Sequence, residues 1–389
     1  MGLSMRIGSV TLKNPVIVTS GEHGRDGRTI AEVATTGVGA VTTKTIIPFP
    51  VPDPLPCYAL VPNGFLNCVL AAVLPAEQWF REEIPRAKKA GVPLIANLAG
   101  TSPDETADLA RKAVAAGADI IELPTHCPHL AENLEAQFPG MKVPPPELDN
   151  PVPFGATVKA VRAAVPVPIV GKLSAVFSHN NRDWVKAGVE AGMDAVEVTD
   201  TFGPVMAIDI ATGQPKLGGP RGFGALSGGA LKPIALRMVY EIAETFSLPI
   251  IASGGIMGWE DAVEYLMAGA SGVGVCTVGH LHGMRRYPKL IADLEAYFRE
   301  KKVSLEEIRG LAHRRVRERA EKGWAAITKP QLPAIAAQMC TACRKCERSC
   351  IYGAITVDEV IRIDPSLCYG CGLCVETCSE GALALPYYR

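Results

Sequence analysis

Eight short apolar runs, most of them rich in β-branched residues, recur through the first 300 residues of the chain: PVIVTS (15–20), GAVTTK (39–44), PLIANL (93–98), ADIIEL (118–123), VPIVGKL (167–173), DAVEVT (194–199), LPIIAS (248–253) and SGVGVC (271–276). A helical stretch follows each run, and the dipeptide Ala-Gly leads into four of them (AGVPLI, AGADII, AGMDAV, AGASGV). A glycine at that point suits a helix that ends in the left-handed region. Runs that are apolar at almost every position suit parallel strands buried on both faces. Eight such units in about 300 residues have the length and pattern of a (β/α)8 barrel. An α/β fold of this kind over 1–300 is therefore expected. The alternative, a doubly wound open sheet, is favoured by a dinucleotide fingerprint. The nearest fit, GFGALSGG at 222–229, has Ser227 where the third glycine belongs, and it does not join a strand directly to a helix.

Chemistry in such a barrel belongs at the C-terminal ends of the strands. Those ends are polar here: Thr19 and Ser20, Lys44, Asn97, Glu122 to Cys127, Lys172, Thr199 to Thr201, Gly254 and Gly255, Cys276 and Thr277. Long Pro-rich loops follow the second and fourth runs, over 46–75 and 124–153, and loops of that length are usually functional. Glycines after the seventh strand and a threonine after the eighth stand where barrels bind phosphate, because backbone N–H groups there can face an anion. Gly254, Gly255 and Thr277 thus point to a phosphate-bearing cofactor, with a tight turn as the alternative. Lys44 and Lys172 end two strands, and a buried ammonium needs a partner. An electron-rich cofactor supplies one; an internal ion pair with Glu122 or Asp200 is the other possibility. Cys127, in ELPTHCPH, sits in a polar loop between His126 and His129, where a thiol can exchange a proton. Inert packing is the alternative for it. The remaining histidines, His23, His179, His280, His282 and His313, show no ligand spacing.

Twelve cysteines are present, and eight fall in CTACRKCERSC (340–350) and CYGCGLCVETC (368–378), each reading C-x2-C-x2-C-x3-C. Three close thiolates wrap one cubane and the fourth reaches the other cluster. Cys340, Cys343, Cys346 and Cys378 are expected on one [4Fe–4S] cluster, and Cys368, Cys371, Cys374 and Cys350 on the second. Structural zinc is the alternative, although it usually uses paired CxxC units. Between the runs, GAITVDEVIRIDP alternates like a hairpin. The stretch 300–323 reads as polar helix, and its HRRVRER patch as a solvated face. The expected organisation is a barrel over 1–300, a helical linker over 301–335 and a small α+β two-cluster domain over 336–389.

Lys plus Arg number 39 against 40 Asp plus Glu, so no charge excess recommends nucleic acid or a membrane surface. No apolar stretch reaches the length of a membrane span, and the first residues lack a signal-peptide core. A cytoplasmic chain is expected.

The blocks VTTKTI, NGFLNCVLAA, ELPTHCPH, GKLS, TDT, LSGGALKPIALR, IASGGI and VCTVG resemble the flavin-dependent dihydroorotate dehydrogenase family. With the cysteine-rich tail they are similar to the C-terminal half of dihydropyrimidine dehydrogenase. The resemblance implies FMN at the barrel mouth. Ser20, Lys44, Asn97, Lys172 and Thr199 match positions along the flavin and its ribityl chain. Gly228, Gly254, Gly255, Cys276 and Thr277 match its phosphate site, and Gly21 and Ser227 are further cofactor positions. Cys127 matches the proton-exchanging cysteine, and Asn67, Asp200 and Thr201 match substrate contacts. Pro124 and Asp200 stand where the family usually has asparagines, which implies the chemistry with an altered grip on a pyrimidine ring. The implied activity is an oxidoreductase acting on a CH–CH bond, or an activated C=C, next to a carbonyl. It would be dihydropyrimidine dehydrogenase-like, moving hydride to or from FMN and relaying electrons through two [4Fe–4S] clusters. A small-molecule substrate, a partner subunit carrying FAD and NAD(P) or a ferredoxin, and a homo- or hetero-oligomer are implied as well. The alternatives are an electron-transfer subunit without its own substrate, and an authentic dihydropyrimidine or dihydroorotate dehydrogenase.

Overall fold

The computed structural model describes residues 3–143 and 147–386. The chain divides into two compact units, Met1–His313 and Arg314–Arg389; the division falls inside the stretch read as a linker.

In the first unit, eight parallel strands close into a barrel in sequence order: β1 Val16–Val18, β2 Ala40–Thr42, β3 Leu94–Asn97, β4 Ile120–Pro124, β5 Ile169–Leu173, β6 Ala195–Val198, β7 Ile250–Ser253 and β8 Gly272–Val275. Seven lie within their apolar runs, and β4 extends one residue past its run, to Pro124. The helices between them start and stop on local signals. In Pro103–Ala116, Ser102 caps the N-terminus by accepting from the Glu105 N–H, proline takes the first helical position, and Gly117 ends the helix at φ 114°. Only glycine holds that left-handed conformation without penalty.

The period of two along a strand sorts the barrel interior into layers. Ile17, Ala40, Ile95, Ile120, Val170, Ala195 and Ile251 form an apolar floor, closed from below by Met5, Ile7 and Leu12. Those three come from a hairpin, Met5–Ile7 paired with Val10–Leu12, that the sequence pattern did not reveal. Two residues further along, the same faces of the strands carry Asn97, Glu122, Lys172, Glu197 and Ser253, all buried. The barrel is thus oily at its base and polar toward the strand ends.

The stretch read as the loop 46–75 contains a hairpin, Tyr58–Val61 with Gly64–Asn67. It joins Phe202–Val205 and Gly224–Ser227 in a four-stranded antiparallel sheet. Pairing between segments about 160 residues apart has no local signature, so prolines dominated the sequence reading. In the other long loop, residues 144–146 lie outside the described residues; Leu130–Gln137 is helical. The polar stretch 300–323 is three helical pieces instead of one, because Lys302 turns left-handed at φ 54°, Ser304 caps a new start and Gly310 breaks it again at φ 69°.

In the second unit the expected hairpin is present as Ile355–Val357 and Ile361–Ile363. Ala334–Ile335 pairs with Leu383–Ala384. Among the described residues, no helix is long and apolar enough to cross a membrane.

Candidate functional site: the barrel mouth and the cysteine wraps

Above the polar layer opens a cavity of ≈ 460 Å³. Most of the residues named from the sequence line it: Ser20, Gly21, Lys44, Asn67, Cys127, Lys172, Thr199, Asp200, Thr201, Ser227, Gly254, Gly255, Cys276 and Thr277. Asn97 and Gly228 are not on its wall. Asn97 lies behind, donating its amide to Glu122 Oε1. Gly228 backs onto Gly255, where an added Cβ would come 2.8 Å from the Gly228 carbonyl oxygen.

Both lysines are paired inside the protein. Lys44 Nζ is 2.6 Å from Glu22 Oε1 and 3.1 Å from Asp53 Oδ2. Glu22 and Asp53 replace the Glu122 or Asp200 considered for it. Lys172 Nζ is 3.5 Å from Glu197 Oε1 and 3.8 Å from Asp200 Oδ2. Its pKa stays above the ordinary lysine value: burial opposes the charge, but Asp200, Glu197 and Glu122 outweigh it. Each lysine therefore carries charge at the cavity without an unpaired cost.

At the strand 7 and 8 side, Gly254 and Gly255 are left-handed, at φ 98° and 86°. A side chain at Gly254 would come 3.2 Å from Ala235 Cβ. Thr277 Oγ1 donates to Ser227 Oγ at 3.0 Å, which donates in turn to the Phe65 carbonyl at 3.1 Å. This gives a side-chain-free cradle with two hydroxyls, suited in kind to a phosphate. Burial, augmented by Asp200, Glu197 and Glu22 against the opposing Lys172, pushes the Cys276 thiol up to about 12, so it stays neutral there. Beside it Tyr58, Phe65 and His280 form an aromatic wall: Tyr58 stacks on Phe65 at 5.3 Å and Phe65 on His280 at 5.7 Å. Burial lowers the pKa of His280, so this wall is an uncharged slab, suited to the face or edge of a flat ring.

Opposite lies Cys127. Its Sγ is 3.9 Å from His129 Nε2, and that nitrogen is 3.0 Å from the Val69 carbonyl oxygen. A carbonyl only accepts, so Nε2 carries a proton. Burial resists a charge on His129, but Cys127, the Val69 carbonyl and Asp200 together raise its pKa to about 9. The imidazolium thus places a positive charge 3.9 Å from the Cys127 sulfur. Asp200 Oδ1 accepts from the Thr201 N–H at 2.7 Å.

Sequence reasoning missed Glu22, Glu197, Tyr58, Phe65 and His280. Glu197 was within reach, since it lies two residues before Thr199 and therefore on the same face of its strand. The aromatic wall depends on the nonlocal sheet and had no such signal.

In the second unit, the two cysteine runs take the same backbone path. Ala342 and Arg344 in the first are left-handed, at φ 54° and 58°; the matching positions in the second are Gly370 and Gly372, at φ 72° and 85°. Backbone N–H groups turn toward sulfur: Ala342 N donates to Cys340 Sγ at 3.4 Å and Ala382 N to Cys378 Sγ at 3.3 Å. Burial first, then Cys378 and Cys343, raise the pKa of Cys346; burial, then Cys371 and Cys368, take Cys374 up to about 11. Thiols that crowd and raise one another form a donor set suited to a cation-rich cluster that takes up thiolate charge. Among the described residues, no three His, Cys, Asp or Glu side chains converge as the ligands of a single ion.

The sequence model of the dihydroorotate dehydrogenase family matches residues 2–298, and that of the 4Fe-4S dicluster domain matches residues 339–382. A protein of Methanocella arvoryzae named dihydroorotate dehydrogenase B (NAD(+)), catalytic subunit, is 36% identical over 320 residues, which cover 82% of this chain and 100% of that relative. Proteins of the same name from Methanocaldococcus jannaschii and Methanothermobacter thermautotrophicus are 35% and 37% identical over 316 residues, in each case 80% of this chain and 98% of the relative.

Proposed function

The chain belongs to the dihydroorotate dehydrogenase family of oxidoreductases, with an added iron–sulfur domain, and from that premise we propose that it interconverts a CH–CH bond and a C=C bond next to a carbonyl, with dihydroorotate and orotate as the first pair to test. The relatives' name puts dihydroorotate ahead of the dihydropyrimidine-type substrate expected from the sequence. The observation that carries the reading is that one cavity is bordered by the glycine cradle, both buried lysines and the Cys127–His129 pair.

Bound FMN would accept or return the hydride. Gly254, Gly255, Ser227 and Thr277 would hold its phosphate, and Lys172 and Thr199 its ring system. This chain's part is then to bind, orient and move one proton. Cys127 takes a proton from the carbon next to the carbonyl during oxidation and returns it in the reverse direction. His129 places its charge beside the Cys127 sulfur. Asn67 and Thr201 orient the substrate, and Tyr58 and Phe65 exclude water on the opposite side. In the tail, the eight cysteines would hold two [4Fe–4S] clusters, which would supply single-electron transfer. The relatives' designation as a catalytic subunit with NAD(+) supports exchange with a separate subunit; a ferredoxin is the other electron partner to test.

A second reading, an uncharged dihydropyrimidine ring, is favoured by Asp200, whose carboxylate borders the cavity and repels a carboxylated substrate. Oxygen-free protein is titrated with dihydroorotate, dihydrouracil and dihydrothymine while flavin absorbance is followed. Bleaching by dihydroorotate supports the first reading, and bleaching by the uncharged rings alone supports the second. No response to any of them removes both.

A further inference from the structure

The polar layer of the barrel contains more acceptors than donors. Glu122 on β4 and Glu197 on β6 are 0% and 1% exposed. They stand on either side of β5, whose Lys172 is in register with Glu197, and Asn97 on β3 is in register with Glu122. One oxygen of each carboxyl is engaged. Glu122 Oε1 accepts from Asn97 Nδ2, and Glu197 Oε1 lies 3.0 Å from Ser253 Oγ and 3.5 Å from Lys172 Nζ. The other oxygen of each, Oε2, is buried without a partner, and so is Oδ1 of Asn97. Ser253 does not close the gap. Its single hydroxyl proton faces two acceptors, the second being the Thr199 carbonyl at 2.7 Å.

An ionised carboxylate only accepts hydrogen bonds. Two ionised carboxylates here would leave three buried oxygens unsatisfied and two like charges facing a single ammonium. One added proton turns one of those oxygens into a donor and removes one charge. We propose that Glu122 and Glu197 hold a single proton between them, forming a proton-binding site under the cavity whose one negative charge is matched by Lys172. The groups that face the pair are Asn97 from β3, Lys172 from β5, Asp200 beyond β6, Ser253 from β7 and Cys276 beyond β8. Of these, only Lys172 is cationic. Burial first, and then the charge of Glu197, hold the Glu122 carboxyl well above its ordinary range, while Lys172 and Asn97 pull the other way without reversing it. Glu197 is the member that faces the Lys172 ammonium and the Ser253 hydroxyl, which leaves the proton to Glu122, whose one partner is the Asn97 amide; the pair behaves as one coupled unit. The pair itself then carries one negative charge near pH 7 instead of two. The inference goes beyond the proposed reaction and uses neither the flavin nor Cys127.

Infrared difference spectra of oxygen-free holoprotein at neutral pH, wild type against Glu122→Gln, read the proton directly. The wild type is expected to show a protonated-carboxyl C=O band that shifts in D2O and is missing from the variant. Absence of the band in the wild type, or its persistence in the variant, overturns the proposal. The second readout is stability against pH. A raised folded-state pKa gives a contribution that is complete below the ordinary value of 4.5 and is lost as pH rises toward the folded value. Between those two values the folding equilibrium of the wild type should fall relative to Glu122→Gln by about tenfold per pH unit, and above the folded value the fall should stop. A difference that does not change with pH contradicts the shared proton. If Glu122→Gln fails to fold, Glu122→Gln/Glu197→Gln removes both charges together and serves for the same infrared comparison.

Discussion

Cys127 and His129 lie two residues apart in one loop, and the proposed chemistry depends on their difference in kind. The thiol exchanges a proton with substrate, and the imidazolium holds a positive charge beside the sulfur. Cys127→Ala should lower turnover by about 10²–10⁴-fold, the usual worth of a positioned acid or base, while flavin content stays unchanged. Equal turnover in the variant would remove Cys127 from the reaction. His129→Gln tests the neighbour through pH. The folded-state value of His129, about 9, lies above the ordinary 6.5. The stability it contributes is therefore complete below 6.5 and lost as pH rises through about 9. Thermal unfolding of wild type and variant across that window should converge at alkaline pH; a constant difference would mean that His129 is neutral throughout. The histidine was visible in the sequence, but its role was ambiguous there. The carbonyl that fixes its proton belongs to Val69, sixty residues away.

Two elements carry most of the cofactor argument. The turn after β7 is a matter of backbone shape. A Cβ at Gly255 would sit 2.8 Å from the Gly228 carbonyl oxygen, at a φ of 86° that L-residues avoid. Gly255→Ala is expected to yield folded protein with a large loss of bound flavin, measured as absorbance per chain; full occupancy would mean that the phosphate site lies elsewhere. The paired cysteine wraps offer a gain-of-stability test. Ala342 and Arg344 adopt left-handed backbone where the second run has glycines, and each such residue costs about 1 kcal/mol or more. Ala342→Gly and Arg344→Gly should each stabilise the iron–sulfur domain by about 1 kcal/mol, read as slower loss of cluster absorbance on heating. Faster loss would contradict the strain. These elements were legible to different degrees. Gly254 and Gly255 stand out in IASGGI, and the cysteine spacing is periodic, because both signals are local. The antiparallel sheet that brings Tyr58, Phe65 and Ser227 to the cavity was not legible, since it joins strands from distant parts of the chain through prolines and polar residues.

For the molecule as a whole, the barrel was readable because eight buried parallel strands demand eight apolar runs at regular spacing. The polar layer inside it was only half read. Lysines at strand ends announce a need for partners, and the sequence does not say which carboxylates meet that need. Lys44 found Glu22 and Asp53, and Lys172 found Glu197 as well as Asp200. With a flavin in the barrel and iron–sulfur clusters in the tail, one chain would carry two redox devices. The most direct test is quantitation of flavin, iron and acid-labile sulfide in protein purified without oxygen. About one FMN is expected, with about eight iron and eight sulfide per chain, as two cubanes require. Colourless protein, or protein with zinc and no FMN, would contradict it.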